Sequence, residues 1–266
     1  MSPARPEFLP DPALSREEME TMQREIAATA RFEDDLAVPA TEIGVDQPLE
    51  RDVGVSQIRI DDGDAGAVVA GVDQAFVDDR ALSVVVAVQD GHVVECVHAV
   101  EPLSIPYIPG LLSFREGGPI LAAVEELTVE PDVVLFDGSG RIHFREAGIA
   151  THIGVVLDVP SVGVAKSLLC GEPLASVDEL PAGEQVPIEA AERVEAEPGT
   201  VLGHAVQTRQ FDDARRVNPV YVSPGHRVGA DTAAALVRQC CAGYKLPEPI
   251  RLADRLASER RDELAG

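Results

Sequence analysis

Short apolar runs, separated by polar and turn residues, follow one another along the middle of the chain. Three strand-like segments follow one another, at residues 68–76, 81–89 and 92–100. The dipeptide Asp90-Gly91 separates the last two and is a strong signal for a two-residue hairpin turn. The pattern therefore predicts a three-stranded antiparallel meander.

Helical spacing appears before and after this meander. Ser15 and Glu18 form a capping box, and Met19, Met22 and Ile26 follow at helical intervals, which predicts a helix at 15–31. Further helices are predicted at 116–128, at 147–157 and, as the last packed helix, at 231–242. Buried strands are predicted at 133–136, 161–165, 201–207 and 219–222. Antiparallel strands followed by alternating strands and helices predict an α/β fold, a mixed sheet with helices on its faces.

Two acidic segments interrupt these patterns. Residues 33–65 are predicted to be a loose connector, and residues 172–199, with eight acidic residues and one basic residue, a solvated insertion. The length of 266 residues fits a single domain whose core spans 67–260. No apolar run approaches a membrane span, and the N-terminus shows no signal pattern, so a monomeric cytoplasmic protein without a membrane partner is expected.

The composition is strongly acidic. The net charge is −24, from 46 acidic and 22 basic residues, and only two residues are lysines. Such acidity disfavours nucleic acid as a partner at low salt. It is also typical of proteins from a high-salt cytoplasm, where the Debye length is about 3 Å and global repulsion hardly reaches a ligand. Charge therefore directs attention to local patches and excludes no nucleic-acid partner.

Three carboxylates are tied to the ends of apolar runs. Asp73 and Asp137 each end an apolar run that is expected to be buried, and Glu116 opens a predicted helix. A carboxylate beside a core strand needs a partner, and carboxylates converging on one sheet hold divalent metal. The alternatives are a turn residue for each aspartate and, for Glu116, a first-turn residue favoured by the helix dipole.

Loops near these carboxylates contain candidate phosphate-binding residues. Lys166 follows a predicted buried strand and is a candidate contact for phosphate. His143 and His226 lie in glycine-bounded loops, where a histidine either acts as a ligand or proton carrier or is a solvated polar residue. Asp231 is interpreted either as a site residue or as a cap or first-turn residue of the last helix. The neighbouring arginines form either a local basic patch or surface ion pairs; they are Arg115, Arg141, Arg145, Arg215, Arg216 and Arg227.

Tyr107 lies between Pro106 and Pro109. Proline restricts both its own backbone and that of the preceding residue, so the loop is predicted to be stiff. Core packing is the usual role of a tyrosine. A stiff exposed ring, however, can insert between stacked bases.

Taken together, these motifs resemble the endonuclease V family, the deoxyinosine 3′-endonucleases. The resemblance spans about 67–260 and is most specific in the block 106–116, Pro-Tyr-Ile-Pro-Gly-Leu-Leu-Ser-Phe-Arg-Glu. It implies a ribonuclease H-like fold, dependence on Mg²⁺ with Mn²⁺ as a substitute, and cleavage of the second phosphodiester bond 3′ to a deaminated base. The implied catalytic residues are Asp73, Glu116, Asp137, His226 and Lys166, of which Asp73, Asp137 and Glu116 bind metal; the implied DNA- and base-binding residues are Tyr107, Gly110, Leu111, Leu112, Gly138 and His143.

Two positions depart from the family's usual pattern. Ser139 stands where a histidine is common and Phe144 where a proline is common, so contacts are not transferred to them. The implied partner is damaged DNA containing deoxyinosine. The competing interpretations are an inosine-specific endoribonuclease, with inosine RNA as its partner, a structure-selective nuclease, and a non-catalytic nucleic-acid binding protein.

Overall fold

The computed structural model describes residues 1–49, 66–211 and 216–265. Nine strands form one mixed sheet in the order β3-β2-β1-β4-β5-β9-β8-β7-β6. The strands are β1 (Val68–Val77), β2 (Arg80–Gln89), β3 (His92–Pro102), β4 (Val133–Asp137), β5 (Ser161–Ala165), β6 (Glu172–Pro173), β7 (Gln185–Glu189), β8 (Val201–Val206) and β9 (Val220–His226). This architecture confirms the mixed central sheet predicted from the sequence.

The directions of the strands bring several chain segments to one edge. Strands β1, β4 and β5 are parallel, β9 is antiparallel to β5, and β8 is antiparallel to β9. The carboxyl ends of β1, β4, β5 and β8 therefore lie at the same edge of the sheet, called here the functional edge. Ligands of open α/β sheets bind outside such carboxyl ends.

Helices cover both faces of the sheet. Helices α1 (Arg16–Thr29), α2 (Leu112–Glu125) and α3 (Ile149–Leu157) contribute to an apolar cluster on one face. Helices α4 (Ala230–Gln239) and α5 (Glu248–Ala265) contribute to a second cluster on the other face. Short 3₁₀ turns at Pro6–Phe8 and Ala40–Glu42 complete the described elements.

Local sequence signals match the local structure at two positions. Asp90 and Gly91 both have positive φ, 51° and 72°, as a type I′ hairpin turn requires. The Ser15 hydroxyl accepts from the Glu18 N–H, and Glu18 Oε2 accepts from the Ser15 N–H at 2.7 Å. The predicted meander and the predicted first helix are thus confirmed, the helix ending at Thr29.

The two acidic segments pack against the rest of the fold where they are described, which the sequence did not predict. In the segment 33–65, Ile43, Val45 and Leu49 are buried in the core beneath α4 and α5, while residues 50–65 lie outside the described ranges. The segment 172–199 contributes β6 and β7, and its Ile188 and Val194 pack into a separate apolar cluster. A few well-spaced apolar side chains bury enough surface to order both segments despite their charge.

The carboxyl-terminal end of the fold also differs from expectation. Helix α5, beyond the predicted last packed helix, lies against β1 and β2 and buries Ile250, Leu252 and Ala253. Helix α2 begins at Leu112, four residues earlier than predicted, so Glu116 lies in its second turn and the first-turn interpretation was wrong. None of the helices in the described part of the chain is long and apolar enough to cross a bilayer.

Candidate metal centre and base pocket

Three aspartates meet at the functional edge. Asp73 in β1 and Asp137 at the end of β4 are adjacent because Val72 pairs with Phe136 in a parallel ladder. Asp254 comes from α5, and one carboxylate oxygen of each aspartate lies within 4.8 Å of the others. Gly71 allows this convergence, since a Cβ there would lie 2.3 Å from the backbone of Pro249. Hard oxygen ligands at this spacing are what a divalent cation of the Mg²⁺ type binds.

The electrostatics of the cluster favour a bound cation. Burial, then the neighbouring Asp137 carboxylate, raises the pKa of Asp73 far above its usual range. Lys166 partly compensates: its Nζ donates to Asp137 Oδ2 at 2.7 Å and to Asp254 Oδ1 at 3.4 Å. One ammonium group against three carboxylates leaves a deficit of positive charge that a divalent ion would remove.

Glu116 is near this centre but outside the group of three. It is buried, its Oε1 pairs with Arg115 at 3.2 Å, and its backbone oxygen accepts from Gln74, the neighbour of Asp73, at 3.2 Å. Burial raises its pKa to about 7, although Arg115 opposes that rise. The predicted metal ligand thus lies beside β1, and its contact with metal stays a prediction.

A small cavity lies next to the centre, on the side of α1, α2 and α3. Its volume is about 70 Å³, well below the roughly 300–1,000 Å³ of drug-sized sites. Four residues predicted for base binding or for the wedge line it, namely Tyr107, Gly110, Leu112 and His143. The other residues of its lining are Gln23, Ser113, Ser139, Ala147, Gly148, Ile149 and Leu169.

Leu111 and Gly138, which were also predicted to bind the base, do not line this cavity. Leu111 is buried and packs on Met19 and Phe114, outside the lining. Gly138 is next to the lining, since a Cβ there would lie 2.6 Å from the Ile149 side chain. Tyr107 is 64% exposed, so its predicted alternative as a core residue is excluded.

The Gly110 carbonyl is fixed by two side chains. His143 Nδ1 accepts from the Arg145 N–H, so its Nε2 carries the proton and donates to Gly110 O at 3.1 Å. Burial lowers the pKa of His143 to about 4, which keeps the ring neutral. Gln23 Nε2 donates to the same carbonyl at 2.8 Å. Gly110 has a φ of 81°, a conformation that glycine adopts without strain.

His226 was predicted to be a site residue, and the structure contradicts this. Its ring is fully buried, its Nδ1 accepts from the Arg31 N–H, and its Nε2 contacts Asp158 at 3.0 Å. It pairs with Ser161 at the start of β5, whereas Asp137 pairs with Val164 near the end of that strand. Three residues of strand separate them, about 10 Å. His226 therefore holds Arg31 and Asp158 together at the edge of the sheet opposite to the functional edge.

The other polar predictions resolve into structural contacts. Asp231 lies in the first turn of α4 and contacts buried His204, which confirms its helical interpretation. The described arginines of the predicted patch are in ion pairs: Arg115 with Glu116, Arg141 with Glu146, Arg145 with Glu20 and Glu195, Arg216 with Glu179, and Arg227 with Asp35. Arg215 lies outside the described residues. The ion-pair alternative, which was the preferred one for Arg215 and Arg216, therefore describes the members that the structure covers.

Asp254 is the functional residue that sequence reasoning missed. Pro249 followed by Ile250, Ala253 and Ala257 at helical spacing signals a helix start and one apolar face. That signal places Asp254 next to the buried face. It does not select this aspartate from the many acidic residues of the chain.

Comparisons with known proteins agree with one another. The family model described as Endonuclease V matches residues 54–255. A curated endonuclease V from the halophilic archaeon Haloarcula marismortui is 59% identical over 263 residues, 97% of each chain. The structure of endonuclease V from Streptomyces avermitilis is 29% identical and covers all of both chains, with a TM-score of 0.73. The Ciona intestinalis endonuclease V, in complex with a 24mer DNA containing an inosine followed by a ribo-adenosine, is 24% identical and covers 93% of this chain and 98% of that one, with a TM-score of 0.69.

Proposed function

Since the chain belongs to the endonuclease V family of metal-dependent endonucleases, with a ribonuclease H-like fold, we propose that it cleaves the second phosphodiester bond 3′ to deoxyinosine in damaged DNA. The observation that supports this most is that a cavity and a carboxylate cluster lie next to each other. A small cavity, lined in part by the exposed Tyr107 and by Ser139 two residues after Asp137, adjoins the three clustered carboxylates. One strand can thus place a base in the cavity and a phosphate on the carboxylates.

Asp73, Asp137 and Asp254 would hold Mg²⁺, with Mn²⁺ as a substitute, and Glu116 would be a further ligand. When bound, the ion supplies Lewis-acid activation of the attacking water and of the scissile phosphate. The fit rests on the donor set, since three carboxylates crowd around a single lysine. We propose that Lys166 also offsets the charge of the phosphate.

Base recognition would rest on the cavity and on Tyr107. Hypoxanthine pairs weakly, so moving it out of the duplex costs less than moving a normal base. The Tyr107 ring would occupy the space that the base leaves. The neutral His143 and the Gly110 carbonyl that it fixes would give the cavity a constant hydrogen-bonding wall.

The test is cleavage of matched duplexes with and without one deoxyinosine in Mg²⁺, with paired RNA substrates. We expect cleavage of the inosine DNA alone or far ahead of the others. Faster cleavage of inosine-containing RNA than of inosine-containing DNA would show that the protein is an inosine-specific endoribonuclease instead. Binding without any cleavage would overturn the enzymatic proposal in favour of a binding protein.

A further inference from the structure

Both lysines of this chain lie at the functional edge. Lys166 follows β5, and Lys245 lies in the loop between α4 and α5. The backbone oxygen of Lys245 accepts from Thr208, two residues after β8 ends, which places this loop at the functional edge. Cations at one edge of so acidic a chain are candidate contacts for phosphate.

Lys245 is held next to an exposed aromatic ring and a second cation. The Thr208 hydroxyl donates to the Lys245 backbone oxygen at 2.6 Å, which ties residues 208–209 to residues 244–245. The Tyr244 ring is 40% exposed, and the guanidinium of Arg209 lies 5.8 Å from its centre. Arg251 lies 4.4 Å from the same ring but is neutralised by buried Glu248.

Arg209 and Lys245 differ from the arginines paired elsewhere on the surface. Among the described residues, no carboxylate lies within ion-pair distance of either side chain, in a chain with 46 acidic residues. Arg209 instead stacks on Phe211 at 4.4 Å and on Tyr244. Arg209, Tyr244 and Lys245 are called here the exit track.

The exit track and the base cavity lie on opposite sides of the metal centre. The cavity is built from the loops before α2 and α3, on one face of the sheet. The exit track is built from the segment after β8 and the loop before α5, on the other face. Asp73 and Asp137 come from the sheet that separates these two faces, and Asp254 comes from α5. A strand with its base in the cavity and its cut phosphate on the carboxylates can therefore continue towards α4 and α5.

We propose that the exit track binds the substrate strand on the 3′ side of the scissile phosphate, with Arg209 and Lys245 on phosphates and Tyr244 against a base or sugar. Cations interleaved with aromatics suit a single strand leaving a duplex. This inference rests on the proposed function, because the 3′ direction follows from cleavage beyond the flipped base. It gives an acidic enzyme one local positive surface for an anionic substrate.

The test compares the double variant Arg209→Gln/Lys245→Gln with the wild type. The matched control is Arg260→Gln/Arg261→Gln, the same charge change at the far end of α5. Binding of an inosine duplex is measured by fluorescence anisotropy, with Ca²⁺ in place of Mg²⁺ to prevent cleavage. The measured quantity is the slope of log affinity against log KCl concentration. Only KCl concentrations at which circular dichroism shows an intact fold are used. Each lost phosphate contact lowers the magnitude of that slope by about 1. We expect a reduction of about 2 for the exit-track variant and about zero for the control.

Duplexes shortened stepwise from either end of the inosine strand assign the direction. Wild-type affinity is expected to fall at a defined 3′ length, and the exit-track variant to be insensitive to that same shortening. Equal salt slopes for both double variants, or sensitivity only to 5′ shortening, would overturn the inference while inosine cleavage stands. If the wild-type protein cleaved inosine-containing and undamaged duplexes equally, the proposed function itself would be contradicted.

Discussion

Individual residues at the functional edge combine a role in the fold with a candidate role in chemistry. Lys166 donates to Asp137 and Asp254, and the same ammonium is a candidate contact for a phosphate. Gln23 and His143 both fix one carbonyl at the cavity. Single substitutions at these positions therefore separate binding, chemistry and stability.

Asp254→Asn is expected to abolish most Mg²⁺-dependent cleavage. It removes one of three clustered carboxylates, and losing several kcal/mol of charge stabilisation corresponds to about 100-fold or more in rate. Mg²⁺ titration by calorimetry should show weaker binding with the fold intact. Asp262→Asn, at the exposed end of the same helix, is the control. Equal activity of both variants would remove Asp254 from the metal centre.

Tyr107→Ala is expected to weaken inosine-duplex binding and cleavage about 10- to 100-fold. Stacking of an aromatic side chain on a base contributes roughly 1–3 kcal/mol. The ring is 64% exposed, so the melting temperature should hardly change. Tyr107→Phe is the control and should retain most activity. A large fall in melting temperature would show that the ring contributes to packing instead.

Gln23→Leu is expected to reduce discrimination between inosine and undamaged duplexes about tenfold. The variant removes one of the two hydrogen-bond donors to the buried Gly110 carbonyl at the cavity. Losing a hydrogen bond to a buried polar group costs about 1–3 kcal/mol of free energy. The measured quantity is the ratio of the two dissociation constants. Arg24→Gln, which breaks only the exposed pair with Glu195, should leave that ratio unchanged. Equal ratios for the wild type and Gln23→Leu would show that Gln23 supports the fold alone.

At the scale of elements, periodicity predicted most of what builds the site. The meander and strands β4 and β5 place Asp73 and Asp137, and their ends follow from strong local signals such as Asp90-Gly91. Helix α2 began earlier than predicted because its first turn, Leu112 to Arg115, was assigned to the preceding loop. Boundaries depend on tertiary contacts that periodicity does not report.

Long-range contacts explain what the sequence did not predict. Asp254 joins the cluster only because α5 packs on Gly71 of β1, a pairing across most of the chain. His226 looked like a loop histidine, but the strand β9 extends through it and buries it against Asp158. The segment 172–199 looked solvated by charge, yet Glu195 reaches Arg24 and Arg145 and ties it to α1.

At the scale of the whole molecule, the net charge of −24 sets the conditions for function. Long-range repulsion of DNA is strong at low ionic strength, where screening extends to about 30 Å, and is removed in molar salt. Direct phosphate contacts weaken over the same range. We expect the first effect to dominate initially, giving an activity maximum in the molar range of KCl. Inosine cleavage measured from low salt to several molar, with circular dichroism in parallel, checks this; activity that only falls from low salt upward, with the fold intact, would contradict it.

The most direct test of the central claim maps the cut at nucleotide resolution. A labelled duplex with one deoxyinosine is incubated with excess enzyme and Mg²⁺ for a single turnover, beside Asp73→Asn. The account predicts one nick at the second phosphodiester bond 3′ to inosine for the wild type, none on the undamaged duplex, and none for Asp73→Asn. A nick elsewhere, equal cutting of undamaged DNA, or full activity of Asp73→Asn would contradict it.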